Sequence, residues 1–203
     1  GTLFFVADNG TTGLELWKSN GTSGILGGTQ LIKDIRPFAE GNNLSSTPNF
    51  LTNVKGNLFF SANDGNAGTE LWKSDGTTGG TIMVKDIWTG VDGSYPDDFY
   101  SIGNELFFSA ENGTQGRELW KSDGTQAGTV LVKDIRAGSV GGFEYMYSSG
   151  VYSATSFRVV GQSGSTFYFV AVNTSNSSPL ANNYELWKSD GTTAGTMMVM
   201  DIY

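Results

Sequence analysis

The sequence predicts an all-β fold, a β-propeller-like array of four blades, each of about 50 residues and four short strands. Three observations predict it. The octapeptide ELWKSDGT, or a near copy, occurs four times, at 15–22, 70–77, 118–125 and 185–192. β-branched and aromatic residues fill short runs, and Gly, Asn and Asp fill the connections between them. No stretch carries the period of an amphipathic helix.

The elements follow in order. The Trp residues of the copies, Trp17, Trp72, Trp120 and Trp187, are spaced by 55, 48 and 67 residues. A period near 50 with insertions suits propeller blades rather than ankyrin or leucine-rich repeats. An aromatic strand precedes each Trp: Leu3-Phe4-Phe5-Val6-Ala7, Leu58-Phe59-Phe60-Ser61-Ala62, Leu106-Phe107-Phe108-Ser109-Ala110 and Phe167-Tyr168-Phe169-Val170-Ala171. The ELWKS strand comes next, then an Asp-Gly-Thr turn, then Thr-x-x-Val-Lys-Asp-Ile, as at 81–87 and 129–135. A weaker strand, at 49–54, 99–102 and 157–160, leads into the next repeat. The chain therefore reads as one repeat domain, 1–203, with repeats at 1–48, 49–98, 99–156 and 157–203. It opens on the second strand of a blade and closes on a fourth, which makes 15 strands and not 16. The expectation is part of a larger array, or a ring completed by strand exchange. The start at Gly1 without an initiator Met points the same way, to a processed or excised piece.

Composition removes several classes of function. There is no His and no Cys, which excludes imidazole acid–base chemistry, His-based triads and His or Cys metal sites. Twelve basic against 20 acidic residues give a net charge of −8, and the basic ones do not cluster. Nucleic acid and anionic membrane surfaces are poor partners for such a chain. No apolar run approaches the length of a membrane span, so no membrane insertion is expected. Richness in Gly, Ser, Thr and Asn fits an exported, turn-rich protein.

The recurring residues read as structure. Strand alternation puts Glu and Trp of each copy on one face. The four Trp side chains then become blade-packing groups, each giving its indole N–H to an oxygen. Glu15, Glu70, Glu118 and Glu185 are expected to pair across strands with the Lys that follows the turn, Lys33, Lys85 and Lys133 in the first three copies. Asp75, Asp123 and Asp190 are turn formers, and Asn20 does the same work in the first copy, so no required carboxylate sits there. These residues together resemble the ELWxxDGT-repeat family of bacterial secreted and surface proteins. The resemblance covers nearly the whole chain. It implies a β-propeller-like fold, export, and membership of larger multi-repeat proteins, and it implies no particular chemistry.

Function is then expected where the copies differ. After each Asp-Ile stand Arg36, Trp88, Arg136 and Tyr203, all able to stack on a sugar or peptide. The loop 92–98 carries Asp92, Asp97 and Asp98, a candidate calcium site without EF-hand spacing. The insertions 38–47 and 138–156 read as surface loops, and the second holds Phe143, Tyr145, Met146, Tyr147 and Tyr152, a mixture suited to adaptable contacts. The expected function is a non-catalytic extracellular or cell-surface module for scaffolding, adhesion or self-assembly. Its partners would be copies of itself, further repeats of a parent protein, or extracellular glycan. The alternative is a multivalent propeller lectin binding glycans in its blade grooves. A carboxylate-based glycoside hydrolase comes third, because the sequence offers no unique pair of acids. No cofactor is expected, with calcium left open.

Overall fold

The computed structural model describes residues 1–23, 27–37, 44–138, 141–143, 145–148, 151–154, 157–172 and 184–201, with backbone alone at 145–148 and 151–154. The chain divides into two compact units, Gly1–Tyr95 and Pro96–Tyr203.

The first unit holds two antiparallel sheets. Strands β1 (Leu3–Asp8), β2 (Leu14–Ser19) and β3 (Thr29–Lys33) form a three-stranded sheet. Strands β4 (Asn49–Val54), β5 (Asn57–Asn63), β6 (Thr69–Ser74) and β7 (Ile82–Lys85) form a four-stranded one in chain order. The second unit repeats the four-stranded pattern twice. Strands β8 (Asp97–Ile102), β9 (Glu105–Glu111), β10 (Arg117–Ser122) and β11 (Val130–Lys133) make one sheet. A hairpin of β12 (Tyr145–Ser148) and β13 (Val151–Ala154) follows, and then β14 (Arg158–Ser163), β15 (Thr166–Val172), β16 (Tyr184–Ser189) and β17 (Met197–Met200) make the last sheet. Among the described residues fifteen strands thus belong to the four blades. The hairpin corrects the reading of 138–156 as a loop: Tyr145, Tyr147, Val151 and Tyr152 are strong strand formers and outweigh the Gly and Ser around them.

The central pairing has the same register in every blade. Trp17, Trp72, Trp120 and Trp187 stand opposite Phe5, Phe60, Phe108 and Phe169. On the other side of each central strand a bulge falls at the Leu-Trp step, so that Leu71 faces Lys85 while Trp72 faces Met83. The same irregularity recurs at Leu16/Trp17, Leu119/Trp120 and Leu186/Trp187.

Within each unit the later blade packs its aromatic face on the earlier one. In the first, Phe60 and Trp72 join Leu16, Ile32 and Ile35. In the second, Phe169 and Trp187 join Leu119, Val132 and Ile135, the residues at the same repeat positions. Each large apolar side chain sealed in this way contributes about 1.5–3 kcal/mol. Polar links accompany the packing. Thr78 Oγ1 donates to the Ile32 carbonyl at 2.7 Å, and Thr193 Oγ1 donates to the Val132 carbonyl at 2.8 Å. The turn glycines Gly76 and Gly191 have φ of +87° and +85°, and a Cβ on them would press on Phe4 and Phe107 of the preceding blade. Gly is therefore required there for conformation and for close approach at once.

Candidate functional site

Among the described residues Glu15, Glu70 and Glu118 are held by linker backbone and not by lysine. Glu70 is fully buried and its carboxylate collects backbone N–H groups from the linker beyond β7. Ile87 N donates to Oε2 at 3.0 Å, and Trp88 N and Ser94 N donate to Oε1 at 3.4 and 2.7 Å. The Ser94 hydroxyl donates to Oε2 at 2.5 Å. Glu118 is bound in the same way by Ile135 N (2.8 Å), Arg136 N (3.4 Å) and Gly142 N (2.7 Å). Glu15 accepts from Ile35 N, Ser46 N and the Ser46 hydroxyl. Glu185 is buried as well, at 2% exposure. The expected Glu–Lys pairs fail because the bulge sets Lys33, Lys85 and Lys133 opposite the Leu of the motif. Lys33 instead donates to the Thr81 carbonyl at 2.8 Å. Burial pushes the carboxyls up, Glu70 to about 7 and Glu118 to about 8, against the downward pull of the N–H donors; Glu15 is raised for the same reason.

The stapled linker also fastens the next blade. Ser46, held by Glu15, accepts a bond at its carbonyl from Asn63 N of the second blade at 2.9 Å. Gly142, held by Glu118, accepts one from Val172 N of the fourth at 3.2 Å. The glutamate therefore passes position from one blade to its successor. Ser46, Ser94 and Gly142 escaped sequence reasoning. For the last two the signal was the aligned glycines of Trp88-Thr89-Gly90-Val91-Asp92-Gly93-Ser94 and Arg136-Ala137-Gly138-Ser139-Val140-Gly141-Gly142.

The Asp-Gly-Thr segments are turns. Asp75 Oδ1 accepts from Thr77 N and Oγ1, Asp123 from Thr125, and Asp190 from Thr192. Asn20 does the same with Thr22. Threonine hydrogen bonds hold Asp75 and Asp190 below the usual carboxylate range. The motif extends further than its eight residues, because a Cβ at Gly80, Gly128 or Gly195 would overlap the turn carboxylate. The Thr that follows closes a hydroxyl pair with the motif Ser, Ser74 with Thr81, Ser122 with Thr129 and Ser189 with Thr196, each at 2.7 Å.

Trp88 and Arg136 spend their backbone N–H on the staple, and their side chains are half-buried. Tyr145 and Tyr147 stand on the hairpin opposite Ala154 and Tyr152, with side chains outside the described residues. Tyr203 and residues 38–43 of the first insertion also lie outside them. Phe143 is core, 1% exposed and in ring contact with Phe157 and Phe169. Of the acidic loop, Asp92 is exposed, whereas Asp97 is taken by Arg117 Nη1 at 2.8 Å and by the Ser109 hydroxyl. Asp98 sits at φ +54°, and burial followed by repulsion from Asp97 raises it to about 7. Among the described residues no group of three or more acids is placed to hold a metal ion.

Arg36 does line a groove. It is about 550 Å³ in volume and lies in the first unit, between the end of β3 and the β5–β6 loop. Its walls include Lys33, Asp34, Arg36, Asp64, Asn66 and Trp72. The Asp64 side chain ties down the loop by accepting from Asn66 N and Ala67 N, both at 2.9 Å. Arg36 lies against Gly65, where a Cβ would come 3.2 Å from Nε. Three polar atoms of these walls, Asp34 Oδ1, Arg36 Nε and Trp72 Nε1, are buried with no hydrogen-bond partner among the described residues. For Trp72 this departs from the expected indole bond, which Trp17 does make, to the Ala7 carbonyl at 3.0 Å. Lys33 Nζ stands 5.7 Å over the Trp72 ring and covers that face.

No family model and no curated protein matches the chain. Solved structures do. A puromycin hydrolase mutant complexed with PGG superposes with a TM-score of 0.56 at 15% identity, over 97% of this chain and 26% of that one. A puromycin hydrolase structure gives 0.52 at 17% identity, over 100% of this chain and 28% of that one. The chain thus spans about a quarter of those proteins. The likeness is one of fold alone, and it agrees with the sheets themselves: the chain is an all-β, β-propeller-like array of four antiparallel blades.

Proposed function

We propose that the chain is a non-catalytic extracellular module for scaffolding and adhesion, with ligand contacts at the connections between repeats. One observation carries this reading. The chemically capable side chains of the repeat are spent on joining blade to blade. The carboxylates of Glu15, Glu70 and Glu118 hold linker backbone, and those of Asp75, Asp123 and Asp190 close turns. A catalytic acid needs an exposed edge toward substrate, and each of these three glutamates is sealed. Copies that differ mainly in their connections suit a frame that presents varied surfaces.

The test is adsorption of the purified chain to insoluble cell-wall and extracellular polysaccharides and to immobilised copies of itself. Release of new reducing ends is followed in the same tubes. Retention without release is expected. Steady release that is lost in Glu118→Gln would overturn the reading.

A further inference from the structure

We propose that the fourth blade docks head to tail on the first blade of a second copy of this chain, through the joint that fastens successive blades within each unit. The inference rests on the scaffolding reading and names its partner. The joint has two sides. A leading face supplies Leu16 and Ile32 in the first unit, and Leu119 and Val132 in the second. A receiving face supplies Leu58, Phe60 and Trp72 in the first, and Phe167, Phe169 and Trp187 in the second. All of these side chains are buried.

Each face recurs once more with its side chains uncovered. On the fourth blade Val199 holds the position of Ile32 and Val132, and it is 45% exposed. Leu186, at the position of Leu16 and Leu119, is half-buried. On the first blade Leu3 holds the position of Leu58 and Phe167, and it is 64% exposed. Phe5 and Trp17 are half-buried where their counterparts are sealed. A repeat face that nothing covers needs a polar surface. Here the fourth copy instead replaces the lysine of the other three with Met200, which is exposed.

Three details of the joint have matching parts on the two uncovered faces. Phe4 and Phe107 lie against Gly76 and Gly191 of the following blade. Tyr168 stands at the same place, opposite Lys188 as Phe4 is opposite Lys18 and Phe107 opposite Lys121. Gly21, at φ +82°, has nothing within 4 Å of an added Cβ, which leaves room for that ring. Thr78 and Thr193 donate to the carbonyls of Ile32 and Val132. Ser23, exposed, holds their place on the first blade and brings a hydroxyl to the Val199 carbonyl. Lys33 Nζ covers the Trp72 ring. Met200 stands opposite Leu186 as Lys33 does opposite Leu16, and it brings a thioether to the Trp17 ring. A second copy fits because the joint mates a leading face with a receiving one. The contact is heterologous, so it builds rings or filaments.

The experiment is sedimentation velocity of the full chain from micromolar to millimolar concentration. The mass should rise with concentration. Leu3→Lys and Val199→Lys each alter an exposed side chain and should keep the urea midpoint of the dilute chain. Each should weaken association about tenfold or more, because the joint would bury an unpaired charge. Mixed in equal amounts, the two variants should recover one contact, between the intact leading face of Leu3→Lys and the intact receiving face of Val199→Lys. That mixture should stop at a dimer. A chain that stays monomeric at millimolar concentration, association that survives in either variant, or a mixture that stays monomeric would each overturn the joint. If the chain is monomeric and polysaccharide still retains it, the joint is wrong and the adhesion reading stands. If the chain assembles as described and reducing ends appear, the joint stands and the non-catalytic reading falls.

Discussion

The second and third blades share one skeleton and differ in how they close it. Both glutamates receive N–H groups from the Ile after the Asp, from the residue behind it and from the linker's far end. In the second blade that far end is Ser94, which adds a hydroxyl bond. In the third it is Gly142, where a Cβ would meet Ile135 Cβ at 2.7 Å and its Cγ2 at 2.8 Å. Burial raises both carboxyls, Glu70 to about 7 and Glu118 to about 8; Glu118 lacks the lowering hydroxyl bond and is also pushed up by Asp134. The blade edges differ as well. Asn49, Asn63 and Thr69 of the second blade are matched in register by Asp97, Glu111 and Arg117, where the two half-buried acids flank the buried Arg117 in the third. Linker backbone donors are the shared part of the joint. The hydroxyl is an addition that adjusts the carboxyl's proton affinity.

Removing the joint altogether gives the largest expected effect. Glu70→Ala and Glu118→Ala each strand two buried backbone donors, at about 1–3 kcal/mol apiece, and one part-buried donor, so a loss of roughly 2 kcal/mol or more is expected in each. Urea unfolding measures it. Near-neutral values would mean that the linkers find other acceptors, and the comparison between blades would lose its basis.

Exchanging the far-end residues should be milder and unsymmetrical. Ser94→Ala removes one hydroxyl bond to a carboxylate and should cost about 1.5–2 kcal/mol. Gly142→Ser brings a hydroxyl to Glu118 and also a Cβ against Ile135, so overpacking of about 1–3 kcal/mol outweighs the new bond. Unfolding midpoints of both variants check this, and a stabilised Gly142→Ser would show that Ile135 yields more easily than its position suggests.

Much of this was legible beforehand and some was not, for physical reasons. Repetition exposed the blades because each copy carries the same strand and turn chemistry, and β4 covers the residues expected of it, Asn49–Val54. The glutamate's partner was illegible. Alternation tells which face a side chain takes, but the bulge after Leu71 and the return of 87–94 over Glu70 are tertiary events. Lys85 was the nearest opposite charge on paper, and the bulge moved it by one position. The groove was half legible. Arg36 was marked as variable and able to bind, whereas Asp34 looked like one more invariant of the repeat. Its unpartnered oxygen emerges only when one blade is set against the next.

The smallest effect isolates the two blades from each other by pH. Both carboxyls are raised from 4.5 in the folded chain by burial. The native state then holds more protons than the unfolded one above that value, so stability is fully present in acid and falls as pH rises. The native-state proton is half lost near 7 for Glu70 and near 8 for Glu118. Between those values both still contribute a slope, Glu118 the larger one, at most about 1.4 kcal/mol per pH unit each. Urea midpoints taken from pH 5 to 9 should therefore decline more between 7 and 8 in Glu70→Gln than in Glu118→Gln. Equal behaviour of the two variants would mean that the Ser94 hydroxyl does not separate the carboxyls, and that the blades differ in packing alone.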